Sequence, residues 1–119
     1  MNPEPARADD VVTLDPHAYV SRILDWYRCT PGTLGQLRRH DRLVAADLHR
    51  RRVPLAVVES ALLLAAARRS LRPDDAPPLP PVRSLAYFLP VVDELLAAPL
   101  DPDYVRYLRS KLAAITPGI

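Results

Sequence analysis

The sequence predicts an all-α protein: a compact bundle of about five helices, with a central buried third helix and a proline-rich linker. Leucine and alanine dominate the apolar residues, a composition that favours helices over strands. Apolar residues recur every three or four positions, and no segment alternates as a strand would. A chain of 119 residues fits one domain. We expect that domain at residues 15–116, after a disordered N-terminal tail at residues 1–14.

The first two helices are predicted from their start signals. Asp15 can cap a helix whose first residue is Pro16, and this helix extends to about Cys29. Thr33 and Gln36 have the spacing of a capping box, which predicts a second helix from Leu34 to about Arg51.

The remaining elements follow from apolar patterns and prolines. A helix over residues 54–71 is apolar around most of its circumference, which predicts its central position. Residues 73–81 form the proline-rich linker. We expect a fourth helix at residues 82–97, kinked at Pro90, and a last helix that begins at Asp101-Pro102.

Positive charge is concentrated in the middle of the chain. Residues 22–72 carry a net charge of +7, whereas residues 73–103 carry −5. Fifteen of the sixteen basic residues are arginine, which suits bidentate contact with phosphate or carboxylate. Two interpretations stay open: the arginines bind an external anion, or they pair with the acidic segment of the same chain.

The sequence gives no sign of catalysis, of a cofactor or of a metal site. It has three glycines, too few for a phosphate-binding loop, and no HExxH or CxxC motif. Its one cysteine, Cys29, precludes an internal disulfide and favours a reducing, cytoplasmic compartment. No apolar run approaches the length of a membrane span. We therefore expect a non-enzymatic, cytoplasmic protein with no membrane association.

A nucleic acid is the first candidate partner. Basic side chains lie away from the apolar side of the second helix, and more follow at its end and at the end of the third. Phosphate contacts through such a surface give salt-dependent affinity. The predicted phosphate-binding residues are Arg38, Arg39, Arg42, His49, Arg50, Arg51, Arg52, Arg68 and Arg69. The second and third helices also have the order of a helix-turn-helix, although the third helix is nearly all apolar where such a motif should expose polar residues to bases.

Two segments carry a resemblance to a known family. Residues 54–61 (PLAVVESA) and residues 84–92 (SLAYFLPVV), within residues 34–97, resemble the C-terminal domain of DnaD-type primosomal proteins and related phage helicase loaders. The stretch also resembles small proteins of bacterial mobile elements. The sequence departs from the DnaD pattern in its missing closing tryptophan, its longer proline linker and Pro90. The resemblance implies association with DNA and contact with a larger replication or mobility protein.

The competing hypothesis is a helical protein–protein adaptor or structural subunit without nucleic acid. Its candidate contact residues lie off the main apolar stripes of their helices, and exposed aromatic residues are enriched at interfaces. They are Trp26, Tyr87 and Tyr107. The sequence leaves self-association open.

Overall fold

The structure, a computed structural model, describes residues 15–115, with the backbone alone for Ile115. Its helices are α1 (Pro16–Cys29), α2 (Arg39–Arg50), α3 (Leu55–Ser70), α4 (Leu89–Ala97) and α5 (Pro102–Ile115), and a 3-10 turn at Leu85–Phe88 precedes α4. The prediction of a small all-α bundle is confirmed. The predicted tail at residues 1–14 lies outside the described residues.

Helix α3 lies at the centre of the bundle. It packs against α1, the 3-10 turn, α4 and α5. Four of its buried residues are alanines, which allow neighbouring helices to approach closely: Ala61, Ala65, Ala66 and Ala67. The central position predicted from its apolar circumference is therefore correct.

Helix α2 begins later than the sequence pattern predicts. The expected start at Leu34 is wrong, because residues 32–34 pair with Val82, directly after the linker. Leu34 N donates to the Val82 carbonyl at 3.0 Å, and Val82 N donates to the Gly32 carbonyl at 2.8 Å. The Thr33 hydroxyl donates to the Thr30 carbonyl at 3.0 Å instead of capping a helix. The carboxylate that caps α2 belongs to Asp41.

The predicted fourth helix is also shorter, and the kink at Pro90 is not found. Val82 belongs to the pairing with residues 32–34, and the Ser84 hydroxyl accepts from Ala86 N at 3.0 Å to start the 3-10 turn. Helix α4 begins at Leu89, so Pro90 lies in its first turn. A proline costs nothing there, because the missing N–H group would have no partner inside the helix.

Asp41 connects α2 to the 3-10 turn. Asp41 is 1% exposed, and it is the one buried acidic residue among the described residues. Oδ2 accepts from Arg38 N at 2.9 Å, and Oδ1 accepts from Leu85 N at 2.9 Å. One carboxylate thus satisfies two backbone donors from distant segments, including one at the start of α2.

We expect Asp41→Ala to lower the free energy of unfolding by about 3 kcal/mol, because it leaves two backbone N–H groups without acceptors. The control is Asp25→Ala, which removes an exposed carboxylate paired with Arg28 at 3.1 Å and should cost about 0–1 kcal/mol. Urea denaturation measures both values. Equal losses in the two variants would contradict the role given to Asp41.

The end of α2 is held by a backbone motif that usually contains glycine. Arg52 N donates to the His49 carbonyl at 3.0 Å, and Val53 N donates to the Leu48 carbonyl at 3.1 Å. This is a Schellman motif, with Arg52 in the left-handed region at φ +59°. The Val53 carbonyl in turn accepts a hydrogen bond from the buried Tyr19 hydroxyl at 2.6 Å.

Two buried tyrosines provide a matched test of this contact. Tyr19→Phe removes the donor to the Val53 carbonyl and should cost about 1–2 kcal/mol of unfolding free energy. The buried Tyr27 hydroxyl has no hydrogen-bond partner among the described residues, so Tyr27→Phe should cost nothing measurable.

The pH dependence provides a second readout. Burial raises the pKa of Tyr19 to about 12, against the opposing field of Arg51. The unfolded chain ionises this tyrosine near pH 10, so stability should fall as the pH rises from about 10 towards about 12. Tyr19→Phe should reduce that fall in denaturation curves recorded across this range. An unchanged pH dependence in Tyr19→Phe would contradict the assignment.

Candidate nucleic-acid interface

The predicted phosphate-binding residues divide into two groups in the structure. In the first group, Arg51 and Arg68 form ion pairs with the acidic residues of α4. Both terminal nitrogens of Arg68 donate to the Glu94 carboxylate, at 2.9 and 2.6 Å. Arg51 contacts Asp93 at 3.2 Å. The hydrogen bond from Arg68 lowers the pKa of Glu94, as expected for an acid held by a cation.

Arg69 holds the proline-rich linker against α3. Its Nη2 donates to the Pro80 carbonyl at 2.6 Å, and its guanidinium lies 5.6 Å from the centre of the Tyr87 ring. The guanidinium also packs over Gly32, where an added Cβ would meet Nε at 3.2 Å. Nearby, Arg72 Nη1 donates to the Pro77 carbonyl at 2.8 Å. These contacts give Arg69 a structural role that the sequence does not reveal.

The second group lies at the start and along the exposed side of α2. Arg38, Arg39 and Arg42 are exposed and form no ion pair with any residue in the described range 15–115. Arg50 lies one helical turn after Ala46, on the same side of α2 as Arg39 and Arg42. It pairs with Asp47 at the surface. We call Arg38, Arg39, Arg42 and Arg50 the α2 stripe.

The segment that contains the α2 stripe is strongly cationic for its length. Residues 38–52 contain six arginines and two aspartates, which gives a net charge of +4 with both histidines neutral. One of the two aspartates, Asp41, is buried and faces the 3-10 turn, so it does not compensate the exposed surface. Arg52, at the end of α2, is also exposed.

His49 differs from the arginines of the α2 stripe in its burial. It is half-buried, and its ring packs edge-on against the buried Tyr19 ring with 4.9 Å between centroids. On the helical wheel His49 lies between Arg42 and the buried Ala45, so it stands at the edge of the stripe that borders the core. The structure therefore assigns His49 a packing contact.

Arg83 is a basic residue that the sequence interpretation missed. It is exposed, and it lies two residues before Leu85, whose N–H group donates to Asp41. This bond brings the backbone near Arg83 to the start of α2. It is the single basic residue among residues 73–103, so the acidic charge of that segment hides it in the charge pattern of the sequence.

The candidate aromatic contacts differ in exposure. Trp26 is half-buried against the core, with the Arg22 guanidinium 6.0 Å from its ring centre. Tyr87 is 47% exposed and Tyr107 is 51% exposed. The Tyr107 ring stacks on Tyr104 at 5.9 Å, which leaves a flat aromatic surface on α5.

Comparisons with protein-family models, with curated proteins and with solved structures found no match. Within residues 15–115, no group of three or more His, Cys, Asp or Glu residues could hold a metal ion. In the same range no helix has the length and apolar character needed to cross a membrane.

Proposed function

We propose that this protein is a non-enzymatic accessory protein that binds the phosphate backbone of a nucleic acid through the α2 stripe. One observation carries the proposal. Arg38, Arg39 and Arg42 remain without a carboxylate among the described residues, in a fold that pairs Arg51 and Arg68 with its own acids. Exposed guanidinium groups of this kind bind phosphate oxygens well.

The dimensions of the stripe fit several phosphates. Arg39 and Arg50 are eleven residues apart, about 17 Å along the helix axis at 1.5 Å per residue. That length corresponds to about five nucleotide steps at 3.4 Å per step. The exposed Ala46 between Arg42 and Arg50 is small, so a backbone strand can approach the helix there.

Contact through phosphates fits the chemistry of this surface better than base recognition. Helix α3, which would be the recognition helix of a helix-turn-helix, is buried at the centre of the fold. The exposed side of α2 offers arginines, His40, Leu43 and Ala46, with no asparagine or glutamine to contact adenine. Its arginines can contact guanine as well as phosphate, but no other base-reading side chain accompanies them, so we propose binding with little sequence preference.

The first test removes the unpaired charges. Arg38→Gln/Arg39→Gln/Arg42→Gln should weaken binding to a labelled duplex by about 100-fold at low salt, because about three phosphate contacts are lost. The slope of log affinity against log salt should become shallower by about 2–3 for the same reason. Fluorescence anisotropy at several salt concentrations measures both, and a labelled single strand compares the two nucleic-acid forms.

The matched control is Arg106→Gln/Arg109→Gln/Lys111→Gln, which removes three positive charges from α5. Two of these residues already pair with acids, Arg106 with Asp103 and Arg109 with Glu59. This variant should keep affinity within about threefold of the wild type. Equal weakening by both triple variants would show a nonspecific charge effect, and absence of salt-sensitive binding by the wild type would refute the proposal.

Arg52 allows stability and binding to be separated. Glycine adopts φ +59° without the strain that arginine pays, so Arg52→Gly should raise the free energy of unfolding by about 0.5–1 kcal/mol. If Arg52 contributes a phosphate contact, the same variant should bind duplex more weakly. Denaturation and anisotropy measure the two effects, and unchanged duplex affinity would remove Arg52 from the interface.

A second candidate function is a protein–protein adaptor that contacts its partner through α5. The supporting observation is the stacked pair of Tyr104 and Tyr107, which are 44% and 51% exposed. The ammonium of Lys111 lies 5.8 Å from the centre of the Tyr107 ring. The resemblance to helicase loaders implies a larger replication protein as such a partner, and this function gains weight if the wild type fails to bind nucleic acid.

A further inference from the structure

A cavity between the end of α3, the linker and α4 is lined by three arginines. Its volume is about 330 Å³, and its walls include Arg68, Arg69, Arg72, Leu79, Tyr87 and Val91. Ligand sites in proteins begin at about 300 Å³. The cavity is therefore of a size for a small molecule, and it shares no residue with the α2 stripe.

The charge of this cavity is only partly compensated. Both terminal nitrogens of Arg68 donate to the Glu94 carboxylate, which neutralises that charge. Arg69 and Arg72 instead donate to backbone carbonyls of the linker, which are neutral. Neither forms an ion pair within residues 15–115, so two positive charges remain.

Hydrogen-bond donors also remain for an incoming anion. A guanidinium has five N–H groups, and the contact with Pro77 uses one nitrogen of Arg72. The Tyr87 hydroxyl accepts from Arg69 Nη1 at 3.4 Å, which leaves its own O–H free to donate. These groups can bind the oxygens of a phosphate or a carboxylate.

The other walls of the cavity are apolar. Leu79 and Tyr87 are 43% and 47% exposed, although both are large side chains that gain from burial. Val91 and Ala65 contribute further apolar surface. An anion with an apolar body would cover these side chains while its charged group contacts the arginines.

We propose that this cavity binds a small organic anion that carries one phosphate or carboxylate group on an apolar or aromatic body. The arginines select the charge, and the exposed faces of Leu79 and Tyr87 select the body. Inorganic phosphate lacks the apolar contact, and a neutral ring compound lacks the ionic one. Both should bind more weakly than a molecule that combines the two features.

The test titrates the isotope-labelled full chain with four probes, followed by NMR at the Arg69 Nε–H signal. This nitrogen belongs to a side chain that lines the cavity and lies against Gly32, so its signal follows changes in the position of the Arg69 guanidinium. We expect 1-naphthyl phosphate or 1-naphthoate to bind about tenfold more tightly than inorganic phosphate and 1-naphthol. The tighter of the two naphthyl anions identifies the preferred charged group.

Variants at Arg72 separate charge from structure. Arg72→Gln should weaken binding of the preferred naphthyl anion about tenfold. Arg72→Lys keeps the charge but loses the planar set of donors, so it should weaken that binding by less than Arg72→Gln does. Arg106→Gln, on α5, should leave that binding unchanged, and the wild-type pattern of amide signals checks that each variant is folded. Equal binding of 1-naphthol and the anions, no saturable shift at Arg69, or shifts centred on the α2 stripe would overturn the proposal.

Failure of this proposal and failure of nucleic-acid binding are distinguishable. The cavity experiment uses small molecules and reads a signal on α3, whereas the duplex experiment depends on Arg38, Arg39 and Arg42 on or next to α2. A protein that binds duplex but shows no shift at Arg69 would retain the proposed function and lose this cavity as a site.

Discussion

The Asp41 carboxylate accepts one hydrogen bond from Arg38 N and one from Leu85 N, and it does so in a site that excludes water. The first bond sets where α2 begins, and the second fixes the 3-10 turn beside it. Because α4 follows that turn directly, the same carboxylate also sets the position of the acids on α4. A buried polar group without hydrogen bonds is costly, and here two backbone donors supply those bonds.

The position of α4 determines which arginines are left exposed and unpaired. Asp93 and Glu94 reach Arg51 and Arg68, which lie on two different segments of the chain. The acidic segment therefore neutralises part of the cationic block, and binding of an external anion stays a proposal for the arginines that these acids do not reach. Arg38, Arg39 and Arg42 form no ion pair with Asp93 or Glu94. The proposed interface therefore contains fewer arginines than the sequence indicates.

Local signals predicted α1, α3 and α5 well, because the Asp-Pro starts of α1 and α5 and the apolar pattern of α3 are each complete within one segment. The start of α2 and the 3-10 turn could not be predicted in the same way. Both depend on bonds across the chain, from residues 32–34 to Val82 and from Asp41 to Leu85. The same limit applies to the site: the exposure of Arg39 and Arg42 follows from helical spacing, whereas the partners of Arg68 and Arg69 depend on how the helices pack.

Arginine, in place of lysine, makes both cationic surfaces of this protein possible. Arg69 donates to a carbonyl, contacts a tyrosine hydroxyl and lies over an aromatic ring, and its positive charge is still not matched by an acid within residues 15–115. An ammonium group is a compact charge and cannot make these planar contacts together. A linker held by arginines thus gains rigidity while its charge remains available beside the cavity. On α2 the same side chain has no such structural contacts at Arg39 and Arg42, so its full set of donors faces solvent. The two surfaces therefore differ in how many arginine donors are already bonded within the fold. For that reason we expect a phosphate backbone at the α2 stripe and a small organic anion at the cavity.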